Sequence, residues 1–165
     1  MPRRGFELTV AMRRDLLHAY RQVYTNCHSQ KEAWIKTACH AAPRFYVSPK
    51  TAYNVLRYMV RGDFSVVDSK SPREQRMYYE LFRRLDKLSQ QKEFIGKSLW
   101  FITPFLVSQS APEFYASIET VRKAISCGKK YGEYYHHKEI FGKDKLSDKD
   151  LAHLRKSGGF HRPSR

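Results

Sequence analysis

One ten-residue pattern occurs twice in the chain, 69 residues apart, and it constrains the fold more than any other feature. The segments Ala42–Thr51 and Ala111–Thr120 share six of their ten residues: Ala, Pro, Phe, Tyr, Ser and Thr. Upstream, Trp34 aligns with Trp100 at an offset of 66 residues. Self-similarity at this spacing is typical of a repeated supersecondary unit. We therefore expect two related units within the 165 residues.

The local pattern of the sequence predicts helices in both copies of the repeat. Apolar residues recur at three- and four-residue steps, which is the spacing of an amphipathic helix. Serine followed by proline or, three residues later, by glutamate marks several helix starts. Helices are predicted over Glu7–Tyr24, from Ser29 to about His40, from Ser48 to Gly62, from Ser71 through Leu88, over Phe94–Val107 as a buried helix bent near Pro104, and from Ser117 through Ile125.

The net charge indicates which class of partner to expect. Lysine and arginine number 31 against 16 aspartate and glutamate residues, which gives a net charge of +15. The net charge is +8 over residues 1–62, +2 over 63–128 and +5 over 129–165. This excess favours a polyanion, nucleic acid before an anionic membrane. An ordinary solvated basic surface is the alternative that composition leaves open.

The start of the predicted third helix carries a resemblance to a known family. Val47, Ser48 and Thr51 match the V-S-x-x-T with which recognition helices of the helix-turn-helix family often begin. Over residues 33–62 the chain therefore resembles a helix-turn-helix DNA-binding unit. Its turn around residues 42–46 is longer than is usual for that family and lacks glycine. The whole chain is also similar to small uncharacterised proteins of anaerobic gut bacteria, which implies no function.

The expected fold class is all-α, with two tandem related three-helix units of helix-turn-helix type and a basic, partly disordered C-terminal tail. Residues 1–62 would form the first, basic unit and 74–128 the second, more apolar unit. Residues 63–73 would link them, and residues 129–165 would form the tail. The apolar second unit suits a scaffold or a homodimer surface, with a second, weaker nucleic-acid reader as the alternative.

The predicted third helix presents one polar face without an acidic residue. Arginine and asparagine suit the edges of guanine and adenine in the major groove, and basic residues elsewhere would contact phosphates. A solvated helix face is the alternative interpretation. The candidates for groove contact are Lys50, Asn54, Arg57 and Arg61; those for phosphate contact are Arg13, Arg14, Lys36 and Arg44, with Arg21 and Lys31 as further possibilities.

The sequence offers no pattern for catalysis, a metal or a cofactor. The adjacent Cys27-His28 and Cys39-His40 pairs are poorly spaced for zinc. No phosphate-binding glycine loop or nucleophile elbow is found. Three cysteines without a secretory signal favour reduced thiols in a cytoplasm. The longest uncharged stretch, Ser98–Pro112, is short for a membrane span.

The expected function is therefore non-catalytic binding of nucleic acid, with duplex DNA preferred over RNA. A bacterial regulator and a mobile-element accessory factor fit equally. An RNA-binding or ribonucleoprotein assembly factor is the first alternative, since the tyrosines of residues 131–135 lie near lysines and could stack on unpaired bases. A protein-interaction adaptor using the second copy is the other.

Overall fold

The computed structural model describes the backbone of residues 4–131 and the side chains of residues 8–129. Within that range the chain is all-α, as predicted, and holds no β-strand. Most of the predicted tail, residues 129–165, and of its tyrosine cluster lies outside the described residues. The helices are α1 (Arg4–Val23), α2 (Gln30–Ala38), α3 (Pro49–Val60), α4 (Ser65–Asp68), α5 (Pro72–Ser89), α6 (Leu99–Ser108) and α7 (Ile118–Tyr131), with a 3₁₀ turn at Tyr24–Asn26.

The predicted serine caps are found at the helix starts. The Ser48 hydroxyl accepts the Thr51 N–H at 3.2 Å, and the Ser117 hydroxyl accepts the Thr120 N–H at 3.1 Å. At the start of α5, the Ser71 N–H donates to the Glu74 carboxylate at 3.2 Å. Each cap satisfies a backbone or side-chain group that the first helical turn would otherwise leave open. The boundaries of the helices therefore follow from local sequence.

One compact unit comprises α1, α2 and α7, from residues 4–38 and 117–131. Its helices pack through small and aliphatic side chains. Gly128 lies inside α7, which continues beyond the predicted end at Ile125. A Cβ atom there would lie 2.6 Å from Cδ2 of Leu17, so glycine permits the close approach of α7 to α1. The buried residues are Leu16, Leu17, Ala19, Tyr20, Ala33, Thr37, Val121, Ala124 and Ile125.

The other compact unit is continuous in sequence, Cys39–Ala116, and holds α3, α4, α5 and α6. Val67 of α4 is fully buried, so the predicted linker over 63–73 contributes to the core of this unit. The helix predicted over Phe94–Val107 begins only at Leu99, where Ser98 caps it, and it continues through Pro104. The main buried side chains are Phe45, Val47, Ala52, Val55, Leu56, Met59, Met77, Tyr78, Leu81, Leu85, Leu88, Ile102, Leu106, Val107 and Phe114.

The composition of these units differs from the predicted halves 1–62 and 74–128. In repeat order, α1, α2 and α3 correspond to α5, α6 and α7. Each compact unit contains the first two helices of one copy and the third helix of the other.

The two repeated segments contact each other within the unit Cys39–Ala116. Ala42 and Ala111 form an isolated antiparallel bridge, with N–H···O distances of 2.9 and 2.8 Å. Phe45 stacks on Tyr115, with ring centroids 6.1 Å apart. The equivalent pair, Tyr46 and Phe114, stacks at 5.7 Å. Equivalent residues thus make reciprocal contacts.

Candidate nucleic-acid interface

The candidate surface is the outer face of α3, and the sequence of that helix determines which side chains point outward. Four buried residues at helical spacing turn one face toward the core. Gly62, with φ +82°, ends the helix. The Gly62 N–H donates to the Met59 carbonyl and the Asp63 N–H donates to the Tyr58 carbonyl, both at 3.0 Å. The helix ends are therefore set locally, and the face opposite the core is left to Lys50, Asn54 and Arg61.

Lys50, Asn54 and Arg61 are all exposed. None of the three side chains makes a hydrogen bond or ion pair with another residue that the structure describes. Helix α3 contains no aspartate or glutamate, so no carboxylate on the same helix offsets their charge. This face therefore presents two cations and an amide directly to solvent.

Arg57, the fourth predicted groove residue, is placed differently. Its side chain is half-buried, and its guanidinium lies 4.9 Å from the centroid of the Tyr58 ring. One terminal nitrogen donates to the Tyr58 hydroxyl at 3.3 Å. Its Nε is buried without a hydrogen-bond partner among the described residues. The structure thus holds Arg57 against tyrosine at the edge of the outer face.

The predicted phosphate contacts are divided between the two compact units. Arg44 lies with α3 in Cys39–Ala116; it is half-buried, and its Nε donates to the Phe45 carbonyl at 3.3 Å. Arg13, Arg14 and Lys36 belong to the unit of α1, α2 and α7.

Those three residues differ in their surroundings. Arg13 is half-buried. Arg14 pairs with Asp15 at 3.2 Å. Lys36 pairs with Glu32 at 2.7 Å, and its hydrogen bond lowers the pKa of Glu32 and raises that of Lys36. Much of this charge is therefore already balanced by nearby carboxylates.

Helix α7 follows the second occurrence of the repeated pattern, and a carboxylate pairs with its outward cations. Glu119 stands at the position of Lys50. Its carboxylate accepts a hydrogen bond from the guanidinium of Arg122 at 2.6 Å and lies 3.7 Å from Nζ of Lys123. The hydrogen bond from Arg122 is the largest cause of a lowered pKa at Glu119. Two helices with the same cap and the same buried pattern therefore differ in whether a carboxylate on the same helix pairs with their outward cations.

The sequence reasoning missed an aromatic face on α6, defined here as Trp100, Phe101 and Phe105. The helix was predicted to be buried, but these side chains are 56%, 45% and 49% exposed. The aliphatic Ile102, Leu106 and Val107 fill the core instead. The signal was present in the sequence, because large aromatics and branched aliphatics segregate to opposite faces of α6.

The aromatic face adjoins the outer face of α3. The ring of Tyr53, on α3, meets Trp100 edge-on, with centroids 5.0 Å apart and an interplanar angle of 89°. Lys97 lies with its Nζ 5.3 Å from the centroid of Phe101. Cationic and aromatic groups therefore share one side of the unit Cys39–Ala116.

Other chemistry was sought in the same residues. No group of three or more histidine, cysteine, aspartate or glutamate side chains in the described part of the chain is arranged to hold a metal ion. None of the helices found between residues 4 and 131 combines the length and apolarity needed to cross a membrane. Comparison of the chain with protein-family models, curated proteins and solved structures gives no match.

Proposed function

We propose that this protein binds nucleic acid without catalysis and that the outer face of α3 contacts duplex DNA. The observation that carries the proposal is the state of Lys50, Asn54 and Arg61, which are exposed and have no partner among the described side chains, on a helix free of acidic residues. Cations that no carboxylate offsets are available to replace the counterions of a phosphate backbone. The net charge of +15 supports the same class of partner.

The three residues suit distinct tasks along a duplex. Lys50 and Arg61 lie at the two ends of the helix, 11 positions apart, or about 16 Å at 1.5 Å per residue. They would contact phosphates and fix the position of the helix. Asn54 lies between them on the same face, and its amide can pair with the edge of adenine in the major groove. Arg57 would add a guanidinium that Tyr58 already orients.

The proposal depends on α3 and does not require a helix-turn-helix. The connection from α2 to α3 spans residues 39–48, and the two helices belong to different compact units. The resemblance over residues 33–62 therefore stays a prediction about the sequence. The origin of the two copies by tandem duplication, and a cytoplasmic bacterial regulator or mobile-element factor as the biological setting, belong to this proposal as well.

The exposed aromatic face of α6 favours a second candidate function, a protein-interaction adaptor or homodimer using the second copy. Exposed aromatic groups are enriched at protein interfaces. The two functions are separated by the response to salt. Binding to duplex DNA weakens steeply as salt rises, whereas an apolar interface does not.

The test measures duplex affinity by fluorescence anisotropy across a salt series, with a labelled duplex of random sequence. The double variant Lys50→Ala/Arg61→Ala is compared with Arg122→Ala/Lys123→Ala, which loses the same charge from α7. At about 0.9 per phosphate contact, the first variant should flatten the log–log salt slope by roughly 1.8. The second should leave it unchanged. Equal slopes for both variants and the wild-type protein would refute the proposal.

A further inference from the structure

The aromatic face of α6 has a definite shape and is not a loose set of exposed residues. Phe101 and Phe105 pack on each other, with centroids 5.6 Å apart. Phe94 supports both, at 6.4 and 5.2 Å. Trp100 is fixed separately by its edge-on contact with Tyr53. The rings are thus held in place while about half of each remains open to solvent.

Two lysines lie close to this face. Lys97 lies over the Phe101 ring. Lys50 is three positions before Tyr53 on α3, and residues at that spacing are neighbours on a helix surface, about 5–6 Å apart at Cβ. Because Tyr53 contacts Trp100, a strand whose phosphates meet Lys50 passes within reach of the indole ring. Cationic side chains and exposed aromatic rings therefore lie next to each other on this surface.

We propose that Trp100, held edge-on by Tyr53, stacks together with the exposed Phe101 and Phe105 on unpaired bases that adjoin the duplex bound by α3. The preferred ligand is then a nucleic acid with a single-stranded segment next to a duplex, such as an overhang or a junction. Every base has a flat π face, so this contact is tolerant of sequence. The inference rests on the proposed function, because α3 brings the strand to the aromatic face.

Charge complementarity favours a nucleic acid over a second copy of this chain as the occupant. Two copies joined through the aromatic face would bring Lys97, Lys50 and their counterparts close together, and like charges oppose such an interface. A strand of nucleic acid supplies phosphates for those same groups and bases for the rings. The lysines near the aromatic face therefore favour binding of a nucleic acid and disfavour association with a second copy of the chain.

The experiment compares two labelled probes, a blunt duplex and the same duplex with a ten-nucleotide thymidine overhang. The proteins are wild type, Trp100→Ala, Trp100→Phe and, as a control, Tyr24→Ala, which removes an aromatic side chain of similar exposure from the other unit. Circular dichroism melting checks the fold of each variant, and light scattering reports the oligomeric state.

Wild type should bind the overhang probe about tenfold more tightly than the blunt duplex, which corresponds to one stacked base. Trp100→Ala should remove that preference and leave blunt-duplex affinity unchanged. Trp100→Phe should keep part of that preference, and Tyr24→Ala should keep all of it.

Equal affinity of wild type for the two probes, or equal loss of affinity for both probes in Trp100→Ala, would overturn the stacking proposal. A dimer that Trp100→Ala dissociates would overturn it in favour of self-association.

Failure of the proposed function gives a separate result. In that case wild type would bind neither probe, or Lys50→Ala/Arg61→Ala would bind the blunt duplex as well as wild type does. The stacking proposal is contradicted, and the proposed function is not, when blunt-duplex binding depends on Lys50 and Arg61 but the overhang does not raise the affinity.

Discussion

Helices α3 and α7 begin with the same serine cap and bury equivalent residues, yet they present different outer surfaces. Leu56 and Ile125, at matching positions, are 0% and 1% exposed. Outward, Lys50 has no partner within residues 8–129, whereas Glu119 at the same position pairs with Arg122. The buried face of a repeated helix is constrained by packing, while its solvent face is free to change. The function proposed here depends on that free face.

The largest expected effect tests the shared buried face. Leu56→Ala and Ile125→Ala should each lower the free energy of unfolding by about 2–5 kcal/mol, because each leaves a cavity in a packed core. Denaturant unfolding measures the loss. Hydrogen exchange should then locate it: in α5 and α6 for Leu56→Ala, but in α1 and α2 for Ile125→Ala. The reverse pattern would contradict the packing of α3 with α5 and α6 and of α7 with α1 and α2.

Glu80 of α5 can be compared with Glu119 of α7, because both carboxylates pair with arginines but Glu80 is partly buried. Its hydrogen bonds with Arg83 and Arg84 lower the pKa of Glu80 to about 2 from 4.5. A carboxyl whose pKa is depressed on folding stabilises the protein above the unfolded value, and the contribution is lost as pH falls through the folded value.

Stability should therefore decline between about pH 4.5 and pH 2, with Glu80 contributing about 1–3 kcal/mol after solvent screening. Glu80→Gln should remove that part of the decline, as measured by urea unfolding at several pH values. Glu119→Gln should leave the unfolding profile nearly unchanged, because its ion pairs are exposed. An equal effect of the two substitutions would show that burial does not separate these networks.

The two caps offer a smaller test of what the copies share. Ser48→Ala and Ser117→Ala should each cost about 1 kcal/mol, since each removes the acceptor for one N–H of the first turn. Thermal melting measures both losses. A marked difference between them would show that the two caps are not equivalent despite their matching geometry.

The smallest expected effect concerns the charge on α7. Glu119→Lys should release Arg122 and Lys123 and make the face of α7 resemble that of α3. If free cations are what α7 lacks, duplex affinity should rise modestly, and the salt slope should steepen by about 0.9 for each new phosphate contact. Anisotropy with the random duplex measures this. An unchanged slope would mean that the position of α7, rather than its charge, keeps it from nucleic acid.

The sequence was sufficient to predict the features set by local chemistry. Ser48, Ser71 and Ser117 lie at helix starts because their hydroxyl, backbone and neighbouring groups act within one turn. The predicted apolar face of α3 is buried. The outward placement of Lys50 and Asn54 follows from it. These features depend on residues that are close in sequence.

The remaining features depend on contacts that local patterns do not specify. Because both copies carry similar packing surfaces, the pattern alone does not say whether α3 packs within its own copy or on α5 and α6. The contact of Arg57 with Tyr58 depends on side-chain rotamers rather than on helical spacing. The apolar composition of α6 suggested burial, but its outer face meets solvent because one face of the helix fills the available core. The division of the predicted site between two compact units could be found only in three dimensions.

Amide chemical-shift mapping tests the central claim most directly. The ¹⁵N-labelled full chain is titrated with unlabelled duplex DNA at low salt. The account predicts that residues 50–61 shift and broaden, while residues 118–129 of α7, where Arg122 and Lys123 pair with Glu119, stay near their free positions. Shifts centred on α7, or confined to residues 129–165 with α3 unaffected, would contradict it.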